Sequence, residues 1–263
     1  PSLPMQQVDI FIISWAGQHS HAASIADDLA AHGERATIIY SDPGDIGAIF
    51  NPHSVMQRNN NLFWADKFLA CANACAPESV MFVIHADCTC RDWPAVISLC
   101  RRDFSRFGNL GVWTPRLTGT PWRLEKTRIC RLPDSHCSIV AHTDGIVFAL
   151  APALRDRMLQ ADYSGNIYGL GLDWMFLCSA YANGKIAILN EGITVHHSVT
   201  RGYSSKSARK QKREFLKQLT PAERAEYAQL RAHMQPRKLY VKFLYWLELA
   251  RASKRINHRL ARP

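Results

Sequence analysis

Four acidic residues stand where an α/β chain would hold a ligand. Asp42 follows an apolar run at 36–40, Asp87 follows another at 79–84, and Asp144 sits between two more. Asp173 comes directly after the glycine-containing stretch Gly169-Leu170-Gly171-Leu172. Open α/β sheets bind ligands beyond the carboxyl ends of their strands. Carboxylates placed there can accept hydrogen bonds, ligate a hard cation or take up a proton. Three imidazoles belong to the same candidate set: His85, which ends its apolar run, and the late pair His196-His197. Gly169 and Gly171 would let backbone approach a ligand closely.

These residues need a frame, and the hydrophobic pattern supplies one. Residues 8–14 (VDIFIIS) are short, apolar and rich in β-branched side chains, as a buried parallel strand requires. Residues 20–32 then place Ala22, Ile25 and Leu29 on one helical face, with Gly33 beyond. Residues 36–40 (ATIIY) form the next strand, so the unit is β-α-β with a right-handed crossover. The same reading predicts helices over 59–76, from 91 or 92 to 101, over 151–160 and over 172–183. It predicts strands over 79–84, 110–114, 138–142, 145–150, 185–189 and 192–197. Residues 115–133, rich in Pro, Gly and Arg, read as one long irregular connection, and 162–171 as a Gly-rich loop. The expected architecture is a mostly parallel central sheet flanked by helices, Rossmann-like in plan, occupying residues 1–200.

Charge divides the chain at the same place. Residues 1–200 carry 15 Lys/Arg against 18 Asp/Glu, whereas residues 201–263 carry 17 against 4. The whole basic excess therefore lies in a C-terminal helical extension, 201–263. Residues 221–233 form a charged helix after the cap Thr220, and residues 239–251 carry Leu239, Phe243, Trp246 and Leu247 on one helical face. An apolar face with a basic surround suits a helix lying in an anionic membrane interface, or one packed on the main domain with its charges in solvent. No run approaches the ~20 apolar residues of a membrane span. No secretory leader is expected at the N-terminus. The eight cysteines lack a paired zinc spacing and read as free, mostly buried thiols, pointing to a cytoplasmic location.

The order of these motifs resembles GT-A-fold glycosyltransferases, most closely the family-2-like bacterial type, over roughly residues 8–200. The resemblance rests on Ser41-Asp42, His85-Ala86-Asp87, Thr143-Asp144-Gly145, the segment 168–174 (YGLGLDW) and Val195-His196-His197. It implies a nucleotide-diphosphate sugar as donor and Mn²⁺ or Mg²⁺ as metal. Asp87 would be the metal ligand, and His196 or His197 a second one. Asp42 would accept from the base or ribose, and Asp144 would bind donor sugar or acceptor. His85 departs from the pattern: it stands where the family's metal motif has its first acidic residue. A neutral imidazole cannot offset metal charge, though it can hydrogen-bond a ribose.

Asp173 is the candidate general base, taking the proton of an acceptor hydroxyl as that oxygen attacks the anomeric carbon. The same residue would also serve as a helix N-cap. Asp144-Gly145 is equally the signature of a tight hairpin turn. Trp15 and the run Arg58-Asn59-Asn60-Asn61 are candidates to line the nucleotide pocket, and Arg201 and Tyr203 to close over the phosphates. The expected function is an inverting glycosyltransferase acting on a glycan or lipid-linked acceptor. It would serve cell-envelope polysaccharide synthesis, peripheral to the cytoplasmic face of the inner membrane. The alternative is a catalytically inactive protein of the same fold that binds a nucleotide sugar or glycan as a scaffold. Nucleic-acid binding through the basic tail lacks any accompanying motif.

Overall fold

The computed structural model of the chain describes residues 6–44, 46–198 and 205–235. Strand β1 (Val8–Trp15) leads into helix α1 (His19–Ala30) and strand β2 (Ala36–Ser41). A 3₁₀ turn at Gly47–Phe50 then delivers β3 (Ser54–Gln57) to the sheet edge beside β2. This strand has no sequence signal: it is four residues long and largely exposed. Helix α2 (Trp64–Ala74) starts five residues later than its apolar pattern suggests. It returns the chain to β4 (Val80–His85), which pairs parallel with β1. The run β3-β2-β1-β4 is thus wholly parallel.

The side chains of these strands alternate between two cores, as the pleat demands. Phe11, Ile13, Met81 and Val83 face one helical layer together with Phe68 of α2. Ile10, Ile12, Phe82 and Ile84 face the other, with Ile25 and Leu29 of α1. Burial on both faces is why the strands read as unbroken apolar runs.

Beyond β4 the chain makes a two-residue strand, β5 (Cys88–Thr89), then α3 (Trp93–Arg106), whose Asp92 cap accepts from the Ala95 amide at 2.8 Å. Strand β6 (Leu110–Thr118) follows. The stretch read as one irregular connection instead contains the end of β6, a single turn α4 (Leu124–Thr127) and β7 (Arg128–Arg131). Then come β8 (Cys137–Val140), β9 (Val147–Leu150), α5 (Pro152–Leu159), α6 (Leu172–Ala182) and β10 (Ile186–His197). The sheet order is β3-β2-β1-β4-β9-β6-β10-β8-β7, with β5 paired to the far end of β10. Strand β9 is antiparallel to both β4 and β6, while β6 and β10 are parallel.

Two expectations change here. The strands expected at 185–189 and 192–197 are one strand, β10, interrupted by a bulge: Asn190 pairs with Pro115 and Thr194 with Arg116. Asp144-Gly145 is not a hairpin turn, because β8 and β9 are not neighbours in the sheet.

A buried carboxylate pins the bulge. Asp103 of α3 is fully buried, and its Oδ2 accepts from Asn190 Nδ2 at 2.6 Å and from Trp113 Nε1 at 2.9 Å. The Arg102 guanidinium lies 3.0 Å from Oδ1. Asn190 Oδ1 in turn accepts from the Gly192 amide at 2.8 Å, which closes the turn of the bulge.

Helix α7 (Ser205–Phe215) and helix α8 (Pro221–Met234) pack over α6, placing Phe215, Leu219, Leu230 and Met234 in the same core as Phe176. Thr220 caps α8 as expected, in a reciprocal capping box with Glu223. Glu223 also receives both arms of Arg157 from α5, at 2.9 and 3.0 Å. The apolar face expected at 239–251 lies outside the described residues, as do Arg201 and Tyr203. Among the described residues no helix is long and apolar enough to cross a membrane. All eight cysteines are free; six are buried, Cys90 is half-buried and Cys130 is exposed.

Replacing Asp103 with Ala is expected to destabilise the protein by about 3–5 kcal/mol, since it strands two buried donors. The urea midpoint of Asp103→Ala against the parent protein measures this, and Asp103→Asn is expected to cost less.

Candidate functional site

The carboxyl rim of the sheet collects the acidic residues. Asp87 lies just past β4 with its side chain almost fully buried. Its Oδ2 is 3.1 Å from His197 Nε2, and its backbone carbonyl accepts from Ser198 Oγ at 2.9 Å. Its Oδ1 is buried and has no hydrogen-bond partner among the described residues. His197 ends β10, and β5 pairs with β10 at Cys88 and His197, which locks the two strand ends together.

Adjacent residues of a strand point to opposite faces, so the two late histidines part company. His197 faces Asp87, whereas His196 is exposed and its Nδ1 lies 2.7 Å from Thr118 Oγ1. The structure therefore brings one imidazole of the pair to Asp87.

Burial lowers the affinity of His197 for a proton, but the hydrogen bond and charge of Asp87, the charge of Asp144 and the Gly119 backbone outweigh it. The net direction is upward from the ordinary imidazole value. His85 goes the other way: burial drives it down to about 4, against the pull of Asp87. Trp64 Nε1 donates to His85 Nε2, which assigns the ring proton of a neutral His85 to Nδ1. Trp15 meets the same ring edge-on, with centroids 6.1 Å apart.

Asp144 enters the rim from the segment between β8 and β9, accepting from Thr120 Oγ1. It stands next to Gly145, against which the Asp173 Cβ packs: a Cβ on Gly145 would come within 3.6 Å of it. Asp173 sits in the first turn of α6 with Gly171, not itself, at the N-cap position. Its Oδ1 accepts from the Trp174 amide at 2.8 Å, and burial raises its proton affinity despite the nearby Lys212 charge. About 18% of its side chain stays exposed, enough for a substrate hydroxyl to reach it.

The two glycines before Asp173 are explained by protein contacts. Gly169 (φ +70°) lies directly under the Trp64 indole, where any Cβ would overlap the ring. Gly171 (φ +93°) turns the chain into α6, with Lys212 packed above it. Both conformations belong to the left-handed region that favours glycine.

Asp42 occupies the same rim at the end of β2, separated from Asp87 by the breadth of β1. It is held by the Gly44 amide (2.8 Å to Oδ1) and by His19 Nε2 (2.9 Å to Oδ2), and these lower its pKa. His19 Nδ1 reaches the buried Ser14 hydroxyl at 2.8 Å, so the carboxylate is anchored through two residues into β1. Between Asp42 and His85 lies Lys67, buried, donating to Ser41 Oγ at 2.7 Å. Burial takes its pKa down to about 8. Arg58, expected near the nucleotide, forms a two-pronged pair with Asp66 of α2 at 2.7 and 2.8 Å.

Sequence reasoning missed Trp64, Lys67, His19 and His142. Each lies on a helix or connection whose relation to the rim exists only after folding. Among the described residues no three His, Cys, Asp or Glu side chains are arranged to hold a metal ion. The rim does supply two donors side by side, the unpartnered Asp87 Oδ1 and the His197 imidazole.

No protein-family model matches the chain, and no curated protein matches it. Solved structures do. One of GalNAc-T7 with UDP, GalNAc and Mn²⁺ is 10% identical, with a TM-score of 0.56, covering 76% of this chain and 45% of that one. The chain thus spans less than half the length of that protein. A CMP:2-keto-3-deoxy-manno-octonic acid synthetase complexed with CTP is 11% identical, covering 81% and 100%, with a TM-score of 0.48. A UDP-glucose pyrophosphorylase from Acinetobacter baumanii is 10% identical, covering 86% and 99%, with a TM-score of 0.46. At these identities the first likeness speaks for the fold alone, a GT-A-like mixed α/β layer with a largely parallel central sheet flanked by helices.

The elevated His197 predicts a pH signature. The protonated ring is favoured by the fold, so its contribution to stability is full below about pH 6.5 and is lost as pH rises through the higher folded value. Asp87→Asn is expected to remove that dependence. Denaturation midpoints of both proteins across this range provide the check.

Proposed function

We propose that the chain is a glycosyltransferase of the family-2-like type. In this reading it moves a sugar from a nucleoside-diphosphate donor to a hydroxyl of a glycan or lipid-linked acceptor, with inversion at the anomeric carbon. The observation that carries the reading is the convergence of Asp87, His197, Asp144 and Asp173 on one rim, with Asp173 partly exposed and poised by burial to take a proton. The acceptor oxygen bonds to the anomeric carbon, its proton passes to Asp173, and the bond to phosphate breaks to release nucleoside diphosphate.

Asp42, fixed through His19, recognises the base or ribose, and Lys67 adds positive charge beside that end of the cleft. Asp144 orients the sugar. A Mn²⁺ or Mg²⁺ ion accompanying the donor would be held by Asp87 Oδ1 and the neutral His197 imidazole. It would supply Lewis-acid charge neutralisation for the departing diphosphate. His85, occupied by Trp64, takes no part in holding it. The solved GalNAc-T7 structure holds UDP, GalNAc and Mn²⁺ on a fold of this kind, which supports the reading. Residues 1–200 then form the catalytic domain and 201–263 the extension. The exposed basic side chains of α7, such as Lys206, Lys210 and Arg213, favour an anionic membrane surface on the cytoplasmic side, near envelope-polysaccharide acceptors.

Titration calorimetry with a panel of nucleotide sugars, with and without Mn²⁺, tests the donor site. Binding to the parent protein and its loss in Asp87→Ala are expected, whereas no binding by the parent overturns the reading. Asp173→Asn is expected to bind donor as before and to lose transfer by about 10²–10⁴-fold. Binding without transfer by the parent protein identifies the scaffold alternative. Because burial raises Asp173, transfer is expected to fail on acidification while the pH is still above the ordinary carboxylate range near 4.

A further inference from the structure

His142 is a buried titratable residue that the mechanism above leaves idle. It lies two residues past the end of β8 and is wholly inaccessible to solvent. Its ring stacks on Trp122, with centroids 3.8 Å apart and planes at 23°, and meets Trp174 edge-on at 4.3 Å. Nε2 lies 3.3 Å from Asp173 Oδ2. Among the described residues neither ring nitrogen finds a hydrogen-bond partner of ordinary geometry. An imidazole buried between two indoles without satisfied polar atoms is costly, and proteins retain such groups where they serve a site.

The surroundings decide its charge. Lys212 of α7, above Trp174, and Lys126 of α4, above Trp122, both face the pair. Burial first, then these two ammonium groups, keep His142 neutral against the opposing pull of the Thr143 backbone. Gly145, in the segment leading into β9, packs against the Asp173 Cβ, and Tyr227 of α8 closes the far side of Trp174. A neutral imidazole carries a single N–H. Placed on Nε2, it sits on the nitrogen 3.3 Å from Asp173 Oδ2, off the line of an ordinary hydrogen bond; placed on Nδ1, it leaves a nitrogen lone pair facing a carboxylate oxygen. Only the first arrangement is attractive when Asp173 is ionised.

We propose that His142 is a positioning residue for Asp173, its Nε2–H holding Oδ2 while the Trp174 amide holds Oδ1. The proposal rests on Asp173 being the general base. A carboxylate gripped at both oxygens cannot rotate, so its free lone pairs meet the acceptor hydroxyl in one orientation. The same donor favours the ionised carboxylate and opposes the effect of burial. His142 has no path to substrate and acts through Asp173.

The ring itself gives a test that needs no activity. In ¹⁵N NMR of the full chain, the proton of neutral His142 is expected on Nε2. A proton on Nδ1, or a doubly protonated ring at neutral pH, overturns the proposal. His142→Phe keeps a flat ring between the indoles but removes the N–H. Its kcat is expected to fall at least ~10-fold with donor KM unchanged, and the acid limb of kcat/KM to move to higher pH. His142→Gln, which retains an N–H donor, is expected to restore part of both. A His142→Phe protein with the parent's kcat and pH profile sinks the proposal. Should that variant not fold, the tautomer measurement decides. A parent protein that binds no nucleotide sugar defeats the glycosyltransferase reading instead, and the tautomer still decides whether His142 grips Asp173.

Discussion

The chain leaving β4 must cross two neighbouring strands before it is paired again, and the site depends on that crossing. Strands β9 and β6 lie between β4 and β10, yet β5 pairs with the end of β10 only three residues after β4 stops. Strands in a sheet are spaced by about 4.8 Å, so the crossing requires β10 to bend back over the rim. The bulge between Asn190 and Thr194 provides the bend, and Asp103 holds the bulge from below. Asp87 and His197 meet as a consequence. A buried acid on α3 thereby sets the geometry of an acid at the carboxyl rim.

Burial also sorts three imidazoles around the rim. His85 is neutral because it is enclosed and a Trp64 N–H occupies its Nε2. His142 is neutral because two indoles enclose it and two lysines repel a further charge. His197 gains a proton more readily because a carboxylate lies against it and another lies near. The rim therefore places its most basic imidazole beside Asp87 and keeps neutral rings near Trp64 and Asp173.

Tryptophans frame the cleft on both sides. Trp64 covers Gly169 and reaches His85, so it ties the loop before α6 to the end of β4. Trp122 and Trp174 clasp His142 behind Asp173, and Tyr227 of α8 packs against Trp174. The helices after β10 are thus part of the wall around the proposed base. Their basic outer face and apolar inner face follow from one amphipathic pattern: Ala208 and Phe215 are buried while Lys206, Lys210 and Arg213 are exposed.

The fold class was legible because a strand buried on both faces leaves an apolar run, and strand-end acids stand out against such runs. Asp42 and Asp87 could be chosen from the sequence on that ground, and Asp173 from the glycine-containing stretch before it. Other features were not legible. Strand β3 has no hydrophobic signature, since it is short and exposed at the sheet edge. The division of labour between His196 and His197 depends on which face of β10 points inward, and the bulge alters that count. Gly169 answers to an indole more than a hundred residues earlier in the chain. The sequence by itself determined the alternation of strands and helices and the acids at their ends, because these follow from local periodicity. Only the tertiary structure decided which acids meet which imidazoles, and in what charge state, because strand order, bulge and burial join residues far apart along the chain.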